Sequence, residues 1–291
     1  GHLWIATDVG GVMTDDGTAV ETTSMNTRCI LQDDYQNIWI GNHSTGVDFI
    51  PCHKPLLQTL DFPDMKVRRV YGITSDSNDN LWVGSEDELS GVSSPDGQGK
   101  LAFEGRWKVK GMKHRAHTFA RCLMADSQGY IWMGMEDEGV IRFDIRRQTF
   151  EPIDIGYDAC DIHSFMEDSD GRIWIGAEDG VCTYAKGQIS HHNEITRLTD
   201  RAPVTSFIRL TPTQLLLTTQ GRGILIVNTK TMQAQRLTMA EGLPTDNINQ
   251  ALADRQCGLW LASSEGLIRL PDLTNLKHFT VYNTTAGLTD R

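Results

Sequence analysis

The chain has 291 residues, of which 39% are hydrophobic and 22% charged, with a formal net charge of -11. That balance describes a globular protein: no apolar run approaches the roughly 18 residues of a membrane span, and so acidic a chain lacks the clustered Lys and Arg through which a general nucleic-acid or anionic-membrane binder grips phosphate. Length alone would allow two ordinary domains, but a repeat that runs from end to end points to one, residues 1–291.

The first repeat is Leu3-Trp4-Ile5-Ala6-Thr7, a short apolar and aromatic run suited to a pleated strand. Fuller copies follow in which Asp stands six residues before Trp: Asp33/Trp39, Asp76/Trp82, Asp126/Trp132, Asp168/Trp174 and Asp254/Trp260. In each the Asp side chain can accept backbone N–H groups from the residues after it and close a tight turn, with the Trp supplying a large buried area on the strand that follows. A sixth site, centred on Leu216, keeps the spacing but replaces Asp by Leu210 and Trp by Leu216. Trp4 and Trp260 lie 256 positions apart with six intervals between them, about 43 residues each, which is the length of a four-stranded propeller blade. The expected fold is an all-β, seven-bladed β-propeller of four-stranded antiparallel blades.

In the fifth unit the expected strands, innermost first, are about Asp161–Glu167, Arg172–Gly176, Val181–Ala185 and Gln188–Glu194; nothing sustains a helical period, so no helix is expected. Innermost strands are expected at about Thr27–Gln32, Arg68–Ser75, Thr118–Ala125, Asp161–Glu167, Val204–Arg209 and Asn247–Ala253, six for seven blades. The first unit lacks its own, so the closing blade is incomplete, with Lys277–Tyr282 placed either beside the first unit or as the last strand of the seventh. The chain ends Gly287-Leu288-Thr289-Asp290, repeating the lead-in Gly242-Leu243-Pro244-Thr245-Asp246 of the seventh unit. An excised piece of a longer protein is expected, with reduced order near Gly1–Gly11. The third unit carries an insertion holding Trp107 to His117, read as a long loop bearing the one dense basic patch, Lys113, His114 and Arg115.

Six cysteines occur without metal-ligand spacing; Cys29 and Cys122, ten residues before a repeat Trp, read as small core fillers, and no required disulfide is expected. His191 and His192 point to opposite faces of a strand and make a poor chelate, and the acidic turns Glu136-Asp137-Glu138 and Glu178-Asp179 are too small for a calcium loop. Neither a metal nor a cofactor is expected, and an Asp that recurs at one offset from a core Trp serves a turn rather than catalysis.

Asp254, Trp260, Gly266-Leu267-Ile268-Arg269, His278-Phe279-Thr280-Val281-Tyr282 and the Gly-Leu-Thr-Asp lead-in resemble the two-component regulator propeller repeat over nearly the whole chain. The resemblance implies the periplasmic sensor region of a membrane-bound hybrid histidine kinase of Bacteroidetes, detecting oligosaccharide breakdown products to control polysaccharide-utilisation genes. It implies as partners a further propeller or β-sandwich domain of the same parent chain and a homodimer. Kinase chemistry is not expected in this stretch, which blades consume. Two alternatives stand beside it: a protein-interaction scaffold, and a propeller lyase similar to the streptogramin lyases using His163 and Glu167 as acid and base.

One further position carries a ligand-site expectation. Eleven residues before each repeat Trp (or Leu216) stand Arg28, Tyr71, Arg121, His163, Thr205 and Asn249, all able to hydrogen-bond, on strands that are otherwise mostly apolar. They are expected to ring one mouth of a central channel, where Arg forks suit a carboxylate or sulfate and Tyr71 a sugar face, with Lys113, His114 and Arg115 closing over them.

Overall fold

The computed structural model describes residues 3–7, 11–15, 17–33, 36–51, 58–59, 69–93, 102–112, 119–157, 160–254, 258–271 and 278–283. The fold is all-β, a seven-bladed β-propeller built from seven antiparallel sheets met in chain order. Its contacts divide it into two compact units, residues 1–159 and 160–290.

The first unit holds four blades. They are β1 (Trp4–Thr7), β2 (Gly11–Thr14) and β3 (Ala19–Val20); β4 (Thr27–Gln32), β5 (Ile38–Asn42), β6 (Gly46–Ile50) and β7 (Gln58–Thr59); β8 (Gly72–Ser75), β9 (Leu81–Gly84), β10 (Glu88–Ser93) and β11 (Ala102–Lys108); and β12 (Ala120–Ala125), β13 (Tyr130–Met135), β14 (Gly139–Asp144) and β15 (Thr149–Ile153). The second unit holds three: β16 (Ile162–Glu167), β17 (Ile173–Ala177), β18 (Gly180–Ala185) and β19 (Gln188–His191), followed by α1 (Asn193–Thr199); β20 (Val204–Thr211), β21 (Gln214–Thr219), β22 (Ile224–Asn228) and β23 (Ala234–Leu237); and β24 (Ile248–Ala253), β25 (Leu259–Ser263), β26 (Gly266–Leu270) and β27 (Thr280–Tyr282). The first blade has three strands among the described residues, as expected, and β27 pairs with β26, so that the segment with two expected places completes the seventh blade.

Within each unit the core lies between successive blades. Trp39, Val47 and Phe49 pack on Val70, Leu81 and Val83 of the next blade; in the second unit Trp174 and Val181 pack on Val204, Leu215 and Leu217. The repeat explains how the sheets come so close. Two residues after the Trp, four blades carry Gly, and a Cβ at Gly176 would lie 2.7 Å from the carbonyl oxygen of Val204 and 2.4 Å from Ser164 Oγ. At Gly41 it would lie 2.5 Å from Cys29 Sγ and 2.8 Å from Val70. Only a hydrogen in that place lets the next inner strand approach.

The repeated Asp does more than close its turn. In the fifth blade Asp168 Oδ1 accepts the backbone N–H groups of Asp170 (2.9 Å) and Arg172 (3.0 Å), while Oδ2 accepts the indole N–H of Trp174 at 3.0 Å. The same indole bond recurs from Trp39, Trp82, Trp132 and Trp260 to Asp33, Asp76, Asp126 and Asp254 at 2.8–3.1 Å. A buried indole N–H needs an acceptor. Blade six loses donor and acceptor together: Leu216 is wholly buried and Leu210 packs against the same apolar cluster.

Two expectations are corrected. A helix is present: Asn193–Thr199 has Glu194 in its first turn and Arg197 in its last, and buries Ile195 and Thr199. Seven residues show too little of a 3.6-residue period to be read from sequence. Trp107 is not in a loop but on β11, the fourth strand of its blade, where its ring lies 5.6 Å from that of Trp82 and 5.2 Å from that of Phe143. The extra length of the third unit falls before that strand as well as after it. Lys113, His114, Arg115, Cys52 and Cys257, and Gly1, His2 and Asp8–Gly10 of the segment expected to be poorly ordered, lie outside the described residues.

Candidate functional site

The six polar positions read from the repeat share a backbone device. In five blades the ladder between the two innermost strands slips at that residue. Thr27 pairs with Asn42 and Cys29 with Gly41, leaving Arg28 as the extra residue. Arg121, His163, Thr205 and Asn249 are extra residues in the same way on β12, β16, β20 and β24. Tyr71 stands immediately before β8; its N–H donates to the Gly84 carbonyl at 3.1 Å, while Gly72 is the residue paired with Gly84. A β-bulge takes a residue out of the ladder and re-aims its side chain, a feature over-represented beside functional sites.

Around the bulges of the first unit the side chains form one cluster. Tyr71 stacks on Phe119 with centroids 3.9 Å apart and planes 14° from parallel, and His43 meets Tyr71 edge-on at 6.4 Å. The Arg121 guanidinium lies 5.7 Å from the Phe119 ring centre and pairs with Glu136 at 3.1 Å. Arg69 pairs with Glu86 at 3.5 Å. Arg28 is exposed on the neighbouring blade.

Glu86 and Glu136 share a register, four residues after the repeat Trp, and the same position carries His43, Glu178, Gln220 and Ser264. The backbone explains why this position meets the inner strand: Glu136 N–H donates to Phe119, Glu178 N–H to Asp161 and Gln220 N–H to Pro203, each at 3.0–3.1 Å. Sequence reading had placed Glu136 and Glu178 in turns without seeing that they face the polar level. Reading the offset on both sides of the Trp would have found them. The consequence is electrostatic, because the guanidinium of Arg121 already has a carboxylate partner, and the face of Tyr71 turned to Phe119 is covered.

In the second unit, Thr205 Oγ1 donates to the carbonyl of Ile248 at 2.9 Å and lies 2.8 Å from Thr218 Oγ1, so this bulge residue ties its blade to the next. His163 is half-buried and Asn249 exposed. His163 and Glu167 are four residues apart on β16, about 13 Å along a strand, too far to act as acid and base on one bond.

Burial pushes the thiols of Cys29, Cys122 and Cys182 up to about 12, and Cys29, Cys122, Cys160 and Cys182 are free. Among the described residues no three His, Cys, Asp or Glu side chains gather to hold a metal ion, and no helix is long and apolar enough to cross a membrane. His191 is exposed on β19, but His192 is not the exposed strand residue expected. It precedes α1, with its ring stacked 5.4 Å from that of Trp174 and Nε2 3.0 Å from Thr183 Oγ1.

The class these observations define is a β-propeller whose innermost strands each present one polar or aromatic side chain from the same repeat position. Residues 156–179, spanning β16 and the Asp168–Trp174 turn, match the family described as two component regulator propeller. Among solved structures, the chain is similar to the extracellular domain of the putative hybrid two component system BT3049 from B. thetaiotaomicron (23% identity, TM-score 0.61, 98% of this chain and 39% of that one). It is also similar to the extracellular domain of the putative hybrid two component system BT4673 from the same organism (16%, TM-score 0.54, 97% and 45%). A third similar structure is virginiamycin B lyase from Staphylococcus aureus (13%, TM-score 0.69, 87% and 83%). The chain thus spans less than half the length of the two extracellular domains. No curated protein matches it.

Proposed function

We propose that the chain is an extracytoplasmic ligand-sensing propeller of a hybrid two-component sensor, not itself an enzyme, and that it recognises oligosaccharide breakdown products through its bulge residues. The observation that carries this reading is the recurrence of one bulge, always at the polar position, in a chain whose fifth repeat matches the two component regulator propeller family. A device needed only for folding would accept any residue there, since the bulged residue makes no ladder bond; polar and aromatic side chains at all six positions suit hydroxyl recognition and ring stacking. Arg28, exposed, is one proposed anion contact, and Arg121, paired with Glu136, a second. The half-buried Tyr71–Phe119 pair offers aromatic area to a pyranose ring. Lys113, His114 and Arg115 remain proposed contributors.

On this reading the domain works in the periplasm, joined to a further propeller or β-sandwich domain and to a histidine kinase in a parent that dimerises. Likeness to the lyase structure is a likeness of fold, and the separation of His163 and Glu167 argues against that chemistry here. Differential scanning fluorimetry of the purified protein against neutral and uronic-acid oligosaccharides tests the reading. A dose-dependent rise in melting temperature with one oligosaccharide class, absent with its monosaccharides, is expected; no shift across the panel, together with capture of a protein partner, would favour the scaffold.

A further inference from the structure

The second unit carries a basic surface that the bulge level does not use. α1 interrupts the passage from the last strand of the fifth blade to the first strand of the sixth, and it packs against β23, the outermost strand of the sixth blade. Between them lies an open groove of about 560 Å³ lined by Arg197, Leu198, Arg236, Thr238, Ala240 and Glu241. Arg236 Nη1 donates to the Leu198 carbonyl at 3.2 Å, which fixes one arm of its guanidinium and leaves the rest of the fork toward the groove. Arg197 and Arg201 are exposed and make no ion pair among the described residues.

Two carboxylates nearby are already engaged, while Glu194 stands at the other end of α1. Asp200 Oδ2 accepts Arg222 Nη2 at 2.7 Å, and Glu241 Oε2 accepts both the N–H and the hydroxyl of Thr238 at 2.7 Å. Asp200 and Arg201, with φ of 51° and 58°, form the left-handed cap of α1, their N–H groups donating to the Arg197 and Thr196 carbonyls at 3.2 and 3.4 Å. Met239, beside the groove, is 59% exposed. Arginine and methionine over half-buried Leu198, with no lysine, is the composition of a protein-docking surface rather than of a solvated face.

We propose that the α1–β23 groove docks an acidic segment of a partner protein, with Arg197 and Arg236 gripping two of its carboxylates and Met239 and Leu198 packing on its stem. Charge complementarity selects that occupant: guanidiniums are in local surplus on a chain whose net charge is -11, and Arg forks match carboxylates in two-point contact. The openness of the groove argues for a polypeptide rather than an enclosed small ligand, which would bury most of its surface. The proposal is independent of the oligosaccharide reading, whose residues lie at the bulges.

An octaglutamate peptide is the probe. Titrated into isotopically labelled protein at low salt, it should shift the amide signals of residues 195–201 and 236–241, and the shifts should fade as salt rises. Reversing both cations, Arg197→Glu with Arg236→Glu, should weaken binding at least about tenfold, whereas Arg146→Glu with Arg147→Glu, exposed in a turn of the fourth blade, should not. Arg197→Glu alone, which removes no hydrogen bond made by a described side chain, should weaken it several-fold and guards against a double variant that misfolds. Absence of shifts in the parent, equal binding by the reversed variants, or shifts confined to the bulge residues would overturn the proposal. So would concentration-dependent dimerisation lost in the reversed variants without any response to the peptide, because the occupant would then be a second copy.

Discussion

Replacing Asp168 by Ala should destabilise the protein by about 3 kcal/mol, through the indole rather than through the turn. The substitution removes two backbone contacts at 2.9 and 3.0 Å, the Arg172 Nε contact at 2.8 Å and the Trp174 Nε1 contact at 3.0 Å. The backbone N–H groups sit at a turn that water can reach. Trp174 is wholly buried, so its N–H is left without an acceptor, at a cost of about 1–3 kcal/mol, and the lost charged hydrogen bonds add about 1.5 kcal/mol or more. A loss of about 3 kcal/mol lowers the melting temperature of a chain this size by roughly 6–12 °C. Blade six supplies the control. Asp168→Leu combined with Trp174→Leu recreates the Leu210/Leu216 pair, and because donor and acceptor leave together the double variant should fall short of the sum of the two singles by about 1–2 kcal/mol. Thermal and urea denaturation of the parent, the two single Leu variants and the double variant measure this coupling; strict additivity would refute the pairing of the Asp168 carboxylate with the Trp174 indole as the source of the loss. Burial raises the Asp168 carboxyl, but hydrogen bonds from Trp174, Arg172 and Asp170 and the Arg172 charge outweigh it and hold the group below its ordinary value of 3.8. The charge-linked part of its contribution is therefore present above about pH 4 and is lost as pH falls below that, so the gap between the parent and Asp168→Ala should narrow in strong acid.

Gly176→Ala should cost about 2–3 kcal/mol, since its Cβ would meet the Val204 carbonyl at 2.7 Å and a backbone atom of a packed strand cannot step aside; an unchanged urea midpoint would contradict this. His192 has its ring on Trp174, and burial first, then the charges of Arg172 and His191, hold it below 6.5, so its neutral form is the folded one. Its contribution is present above about pH 6.5 and is lost as pH falls, and the parent should lose more stability between pH 7.5 and 5.5 than His192→Phe does, as read from melting temperatures. Cys29, Cys122 and Cys182, with thiols near 12, should resist alkylation at pH 8 in the folded protein and react at once in urea, as mass spectrometry of their peptides would show.

The blades were legible because Asp and Trp recur at one spacing, and the strand that carries Trp174, expected at about Arg172–Gly176, is Ile173–Ala177. The inner strands were legible too as short apolar runs, although the third, expected at about Arg68–Ser75, is shorter, Gly72–Ser75. What could not be read was whatever depends on a partner from another strand. The Asp168–Trp174 bond spans only six residues, yet Asp is sufficiently explained by its turn, so the indole bond was invisible until both ends were placed. The bulges at Arg28, Arg121, His163, Thr205 and Asn249 leave no mark on the repeat length, because all five blades insert the extra residue at the same point. Trp107 shows the opposite case. It lies on the fourth strand of its blade, outside the Asp–Trp spacing and flanked by extra length, so a regular outer strand looked like part of a loop.

The proposed recognition rests on the bulge side chains, and isothermal titration of the oligosaccharide that stabilises the parent most, carried out on the parent and on the Arg28→Ala/Arg121→Ala double variant, tests it most directly. Binding weaker by about 1–3 kcal/mol for each charged hydrogen bond lost, with folding retained, is the expected result. Unchanged affinity in the double variant would contradict the account and place recognition elsewhere on the propeller.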